Sequence, residues 1–151
     1  MMHGVVDTGI EGRRTDYLFR VTIKAFIVNE NDQILVVKEA GRTWWDLPGG
    51  GMDHGESVKQ CLARELREEV CMAGNFTYDI LDVDDAKELP HSNIMQMRLV
   101  LWVIPENMIF DTGVDSDEIA FLPLSDFDDD EYKREKFTNY INRIKLLRKN
   151  K

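Results

Sequence analysis

Residues 47–57 constrain this chain more tightly than any other stretch. They read Leu47-Pro48-Gly49-Gly50-Gly51-Met52-Asp53-His54-Gly55-Glu56-Ser57. Glycine and proline at this density exclude a regular helix and mark places where the backbone turns or comes close to something else. The stretch feeds into residues 56–70, where Val58, Leu62 and Leu66 recur every fourth position. That is the apolar stripe of a helix packed on a core. A glycine-rich loop running into a helix is an arrangement that cradles phosphate. The spacing of Gly50, Gly55 and Ser57 even imitates a P-loop, but Glu56 stands where a P-loop places lysine. An acidic loop of this kind can hold an anion only if cations accompany it.

The helix carries its own carboxylates. With Leu62 set at zero and about 100° per residue, Glu69 falls near −20°, Glu65 near −60° and Glu68 near −120°. Glu69 therefore borders the apolar stripe, and the three acids share one sector of the helix. Arg64 and Arg67 fall near 200° and 140° by the same count, which predicts that they face away. Like charges at i, i+3 and i, i+4 repel. Three of them at the edge of a buried face suit a hard divalent cation such as Mg²⁺ or Mn²⁺. Such ions, in place of a lysine, would meet a phosphate charge.

The remaining chain predicts strands over 17–29, 33–39, 76–84, 94–104 and 118–124, with Pro123 stopping the last. Each is β-branched or aromatic and bounded by turn residues. Asn29-Glu30-Asn31-Asp32 is turn material, so the chain is expected to open with a hairpin. A final helix over about 128–147 presents Phe137, Tyr140, Ile141, Ile144 and Leu147 on one side, and its acidic start and basic end match the helix dipole. The expected fold class is α/β (α+β), a mixed sheet sandwiched between helices. Residues 1–16 read as a loose arm and 17–151 as a single domain.

The charge balance narrows the partners. With 19 Lys and Arg against 28 Asp and Glu the net charge is −9. This argues against broad nucleic-acid binding or a membrane surface, since both favour a basic face. No apolar run reaches the roughly 18 residues of a membrane span, and a cytoplasmic location is expected. Cys61 and Cys71 on one helix would stand about 15 Å apart, too far for a disulfide. His3, His54 and His91 form no metal-ligand pair. Trp44, Trp45 and Trp102 are candidates for stacking on a base, although aromatics in such strands more often pack in the core. The oligomeric state is left open, a homodimer included.

Together these residues resemble a known motif. Gly50, five residues, Glu56, seven residues, then Arg64-Glu65-Leu66-Arg67-Glu68-Glu69-Val70-Cys71-Met72 is similar to the box of the Nudix hydrolase family, as is the Trp45–Gly50 lead-in. Every fixed position agrees except the last glycine, which is Cys71 here. The resemblance implies a Nudix-type α/β/α sandwich and a metal-dependent pyrophosphohydrolase. It would cleave a phosphoanhydride bond in a nucleoside diphosphate linked to another group. A nucleoside triphosphate, ordinary or oxidised, is favoured over a nucleotide sugar or a dinucleoside polyphosphate. The resemblance also implies Glu65, Glu68 and Glu69 as ligands of Mg²⁺ or Mn²⁺, joined by a carbonyl of Gly49 or Gly50. Glu56 and Arg64 would support the site, and the proton acceptor would be Glu68, Glu69 or the later Glu118. The alternative reading is a Nudix-fold module that senses a nucleotide without cleaving it. Cys71 either adopts the left-handed backbone at a cost of about 1 kcal/mol or the helix runs on to Ala73-Gly74.

Overall fold

A computed structural model of the protein describes residues 4–6, 9–12 and 16–150. The other residues assigned to the N-terminal arm, His3 among them, lie outside the described residues. In chain order the elements are β1 (Val5–Val6), β2 (Asp16–Tyr17), β3 (Phe19–Phe26), β4 (Ile34–Glu39), β5 (Gly49–Gly51), α1 (Val58–Val70), β6 (Phe76–Glu88), β7 (Met95–Pro105), β8 (Ser116–Leu122), and α2 (Glu131–Lys149), with a 3-10 turn over Leu124–Phe127 before α2. The described part of the arm is a ribbon in which Val5 pairs with Tyr17 and Val6 with Asp16.

The strands form a mixed four-stranded sheet in the order β5-β3-β7-β6 and a separate antiparallel pair, β4 with β8. β3 runs parallel to β7, from Phe19 opposite Met95 to Phe26 opposite Trp102. The expected opening hairpin is thus corrected. Its turn forms, with Asn29 N–H on Gln33 O at 3.0 Å and Leu35 N–H on Ile27 O at 2.9 Å. Beyond the turn the two strands part into different sheets. Strands that are apolar on both faces need partners and cover on both sides, which a lone hairpin does not provide.

The side-chain alternation of a strand explains the layers. Ile23, Ala25 and Ile27 of the β3 segment, Leu35 of β4, and Leu101 and Val103 of β7 pack with Leu62, Leu66 and Val70 of α1. The intervening Phe26, Val28, Val36, Val100 and Trp102 pack with Phe137, Tyr140, Ile141 and Ile144 of α2. This is the expected mixed sheet between helices. Trp102 is a core residue, 4% exposed. No helix of the described residues is long and apolar enough to cross a membrane.

Candidate active site

Ser57 starts α1 one turn after the glycines. Its side chain accepts from Gln60 N–H, and Gln60 answers with its own side chain on Ser57 N–H, a reciprocal capping box. At the other end Cys71 takes the left-handed conformation, φ 54° and ψ 30°. The helix therefore closes at the box position instead of running on to Ala73-Gly74, and the backbone strain of a non-glycine residue is accepted there.

The glycines are an edge strand as much as a loop. Gly49, Gly50 and Gly51 pair antiparallel with Lys24, Ile23 and Thr22. Gly49 has φ +136°, and a Cβ there would lie 2.1 Å from Ile23 O. No side chain fits. Gly49 N–H donates to Glu69 Oε2 at 2.8 Å, and a Cβ on Gly50 would lie 2.6 Å from Glu65 Oε1. Two of the three helix carboxylates thus sit directly on the glycine strand.

Arg64 organises the rest. Its Nε donates to Glu56 Oε1 at 2.6 Å and its Nη2 to Glu56 Oε2 at 3.1 Å and Gly51 O at 3.1 Å. Its Nη1 reaches Glu65 Oε1 at 2.7 Å and Glu68 Oε2 at 3.5 Å. The expectation that Arg64 faces away from the carboxylates is therefore corrected. The angular count locates the Cβ, whereas a long guanidinium stem folds back over its neighbours. Arg67 is exposed, as its position predicts. Hydrogen bonding by Arg64, then by Asp53 N–H, pulls the Glu56 carboxyl down to about 2.

Burial has the opposite effect on the helix acids. Glu69 is 3% exposed. Its burial pushes the carboxyl up to about 8, against the lowering effects of Gly49 N–H and Lys24. Burial also raises Glu65, with Arg64 opposing. Among the described residues no three Asp, Glu, His or Cys side chains stand ready-made around one point. Arg64 holds Glu65 and Glu68, while Glu69 is turned to Gly49. The donor set nonetheless suits a hard divalent cation: oxygen ligands, negatively charged and partly stripped of water.

The structure adds a residue that the sequence reading passed over. Lys24, 5% exposed in the middle of β3, sends Nζ to Leu47 O at 3.1 Å and Gly49 O at 3.3 Å. It also pairs with Asp46 Oδ2 at 3.2 Å and lies 3.9 Å from Glu39 Oε1. The available signal was a lysine flanked by Ile23, Ala25 and Phe26, at the buried end of its strand. Burial raises the Asp46 carboxyl, but Lys24 and Arg98 more than offset this and hold it below its ordinary value. Glu118 lies on β8 opposite Lys38, with Oε2 3.0 Å from Lys38 Nζ, and is largely exposed.

Two clefts open on the surface, one of them beside the end of the glycine segment. One of about 530 Å³ is lined by Trp44, Trp45, Phe127, Lys133 and the carboxylates Asp126, Asp129, Asp130 and Glu131. None of the three helix glutamates lines it. Trp44 is half exposed with the Arg42 guanidinium 5.2 Å from its ring centre, and Lys38 lies 4.4 Å from that of Trp45. A second cleft, of about 440 Å³, runs between the start of β3 and residues Met52–Glu56.

An α/β/α sandwich whose glycine strand receives the carboxylates of the following helix defines a class, and comparison with known proteins places the chain in it. The NUDIX domain model matches residues 18–141. The chain belongs to the Nudix family. It is 44% identical over 52 residues to an RNA pyrophosphohydrolase of Acinetobacter baylyi, covering 34% of this chain and 31% of that one. It is 39% identical over 75 residues to the Nudix hydrolase YvcI of Bacillus subtilis, covering 45% and 46%. The matches thus span less than half the length of these relatives. Among solved structures, a MutT NUDIX hydrolase from Burkholderia pseudomallei aligns with a TM-score of 0.64 at 21% identity over 81% of this chain and 98% of that one. The NUDIX domain of Shewanella oneidensis NrtR, complexed with ADP ribose, aligns with a TM-score of 0.66 at 16% identity over 85% and 90%. At these identities the structural likeness establishes the fold.

Proposed function

We propose that this protein hydrolyses a phosphoanhydride bond in a nucleoside diphosphate linked to a second group, with a nucleoside triphosphate as the favoured substrate. The observation that carries this reading is Glu69: a carboxylate 3% exposed, fixed by Gly49 N–H, with Glu65 set against Gly50. A buried acid of this kind is costly unless a cation completes it. Glu65, Glu68 and Glu69 are the side chains that would hold Mg²⁺ or Mn²⁺. Gly49 O accepts from Lys24 Nζ at 3.3 Å and Gly50 O lies 3.9 Å from Cys61 Sγ, and either carbonyl is a candidate backbone ligand. When bound, such an ion neutralises phosphate oxygens and lowers the pKa of water.

In the reaction a water oxygen forms a bond to phosphorus and the bridging P–O bond breaks. The departing phosphate oxygen takes the electron pair, and the proton of the water passes to a carboxylate. Glu68 and Glu69 on α1 and Glu118 on β8 are the candidate acceptors, and any of them must come within hydrogen-bond reach of that water. Glu56 and Arg64 hold the loop to the helix. One named relative is an RNA pyrophosphohydrolase and one solved neighbour is complexed with ADP ribose, so the substrate is a matter for experiment.

The test is a chromatographic product screen over nucleoside triphosphates, oxidised nucleoside triphosphates, ADP-ribose, dinucleoside polyphosphates and 5′-triphosphorylated RNA, with Mg²⁺, with Mn²⁺ and with chelator. Metal-dependent cleavage of a nucleoside triphosphate is expected. Binding of a nucleotide with no turnover of any compound would make the chain a sensing module instead.

A further inference from the structure

The last turn of an α-helix leaves its carbonyls without intrahelical donors. In α1 these belong to the residues that carry the site: Glu68, Glu69 and Val70. They are met by the loop before β8. Asp111 N–H donates to Val70 O at 3.1 Å, Gly113 N–H to Glu69 O at 3.1 Å and Asp115 N–H to Glu68 O at 3.0 Å. Three alternate residues of the loop thus meet three successive carbonyls of the helix, running in the opposite direction. Three further contacts fasten the arrangement. Ser116, 8% exposed, donates its hydroxyl to Glu69 O at 2.6 Å and accepts from Gly113 N–H at 3.0 Å. Cys71 Sγ lies 3.4 Å from Thr112 O.

The approach is too close for a side chain. A Cβ on Gly113 would lie 2.0 Å from Glu68 O and 3.1 Å from the carbonyl carbon of Glu69. Ser116 begins β8 and pairs with Glu39 at the end of β4, and Ala40 N–H donates to Asp115 O at 2.9 Å. The helix end is therefore tied to the β4–β8 pair through a segment far away in sequence. Meanwhile Glu69 is held from its side-chain end by Gly49 on the other sheet.

We propose that the 111–116 segment is a positioning clamp for the C-terminal turn of α1, with Gly113 and Ser116 as positioning residues that set where Glu68 and Glu69 present their carboxylates. The clamp holds the backbone of those two residues, while Arg64 and Gly49 hold their side chains. A shift of the turn carries both carboxylates with it, because side chains leave a helix in directions fixed by its backbone. The inference rests on the reading of Glu65, Glu68 and Glu69 as a divalent-metal site. Outer-shell partners of ligating carboxylates typically matter by 10–100-fold in metal affinity or activity.

The experiment compares the wild type with Ser116→Ala, Ser116→Thr and Gly113→Ala. Mn²⁺ binding is titrated directly in the absence of substrate, kcat and KM are measured at saturating Mn²⁺, and amide exchange is followed at Asp111, Gly113 and Asp115. The three amides are expected to be protected in the wild type. Ser116→Ala is expected to weaken Mn²⁺ binding and lower kcat about tenfold each, with KM within about twofold, and Ser116→Thr to restore both. Gly113→Ala is expected to act in the same direction and more strongly. Ile144→Val, on the buried face of α2, supplies a comparison of lowered stability with Mn²⁺ affinity retained. Wild-type Mn²⁺ affinity and kcat in both Ser116→Ala and Gly113→Ala would overturn the clamp alone. A wild-type chain that neither binds Mn²⁺ nor cleaves any compound of the panel would overturn the metal-site reading, and the clamp proposal with it.

Discussion

The Glu65 carboxylate occupies the space that a side chain on Gly50 would need, with Oε1 2.6 Å from where its Cβ would stand. The glycine is thus a seat for a helix residue fifteen positions later. Gly50→Ala is expected to lower turnover by roughly 10–100-fold, because the methyl displaces Glu65 from the strand. Assay of turnover beside thermal melting checks this. An alanine variant with native turnover would show that the seat is dispensable.

Glu69 predicts an opposite effect on stability and activity. Its ionised form is destabilised by burial, with the carboxyl raised to about 8. Near neutral pH the buried group must take up a proton on folding, and Glu69→Gln removes that cost while keeping an acceptor for Gly49 N–H. In metal-free protein near neutral pH the melting temperature is expected to rise by about 5 °C, while turnover with Mg²⁺ or Mn²⁺ falls by orders of magnitude. Glu65→Gln and Glu68→Gln should also lose turnover without the same gain, since each leaves Arg64 with one partner fewer. Near-native turnover in all three would place the chemistry elsewhere.

Lys24 ties the glycine strand to its surroundings from beneath. Lys24→Met takes the ammonium from Leu47 O and Gly49 O and leaves Asp46 with Arg98 and Leu47 N–H alone, and removing one member of a buried pair is strongly unfavourable. A loss of about 3 kcal/mol in denaturant-measured stability is expected. Adding Asp46→Asn to Lys24→Met should recover part of it, because the two residues are directly coupled. Strictly additive losses would refute that coupling.

Asp82 gives the acid limb of the stability profile a specific origin. Burial raises its carboxyl, but the hydrogen bonds from Tyr140 at 2.6 Å and Lys136 at 3.0 Å more than compensate, so the folded value lies below the ordinary one. The unfolded chain therefore binds more protons in this range, and stability rises with pH. The contribution is complete above the unfolded aspartate value near 4 and is lost as pH falls through the depressed folded value. Asp82→Asn should flatten urea midpoints below about pH 4 relative to wild type. An unchanged slope would assign the acid limb to other carboxylates.

Much of this was legible in the sequence, for identifiable reasons. The period-two and period-four apolar patterns gave the strands, the two helices and their buried faces, because burial imposes those periods directly. The motif from Gly50 to Met72 brought the glycines and the three acids of α1 into one argument, since all lie within one local unit. The Arg64 contacts with Glu65 and Glu68 were misplaced because a guanidinium reaches beyond the angular sector of its own Cβ. Gly113 and Ser116 left no local signal. Their contacts with α1 span more than forty residues and are made largely by backbone, which carries no sequence pattern. The parting of β3 from β4 was hidden for the same reason: a turn sequence specifies the reversal, and the distant strands decide where each arm goes.

That parting also sets the order in which the chain can fold. β3 finds its parallel partner only when Phe19 meets Met95, and β4 finds its own only when Ile34 meets Leu122. Both closures span about half of the chain, and contacts of such separation slow folding, because the entropy of closing the loop is lost before any contact compensates. During synthesis the glycine strand and α1 emerge well before β8, the strand that anchors the end of that helix. A nascent chain ending near residue 110 would hold the whole motif and still lack the segment that fixes its last turn. On the proposed clamp, the turn that carries Glu68 and Glu69 is fixed only once residues 111–116 have joined it.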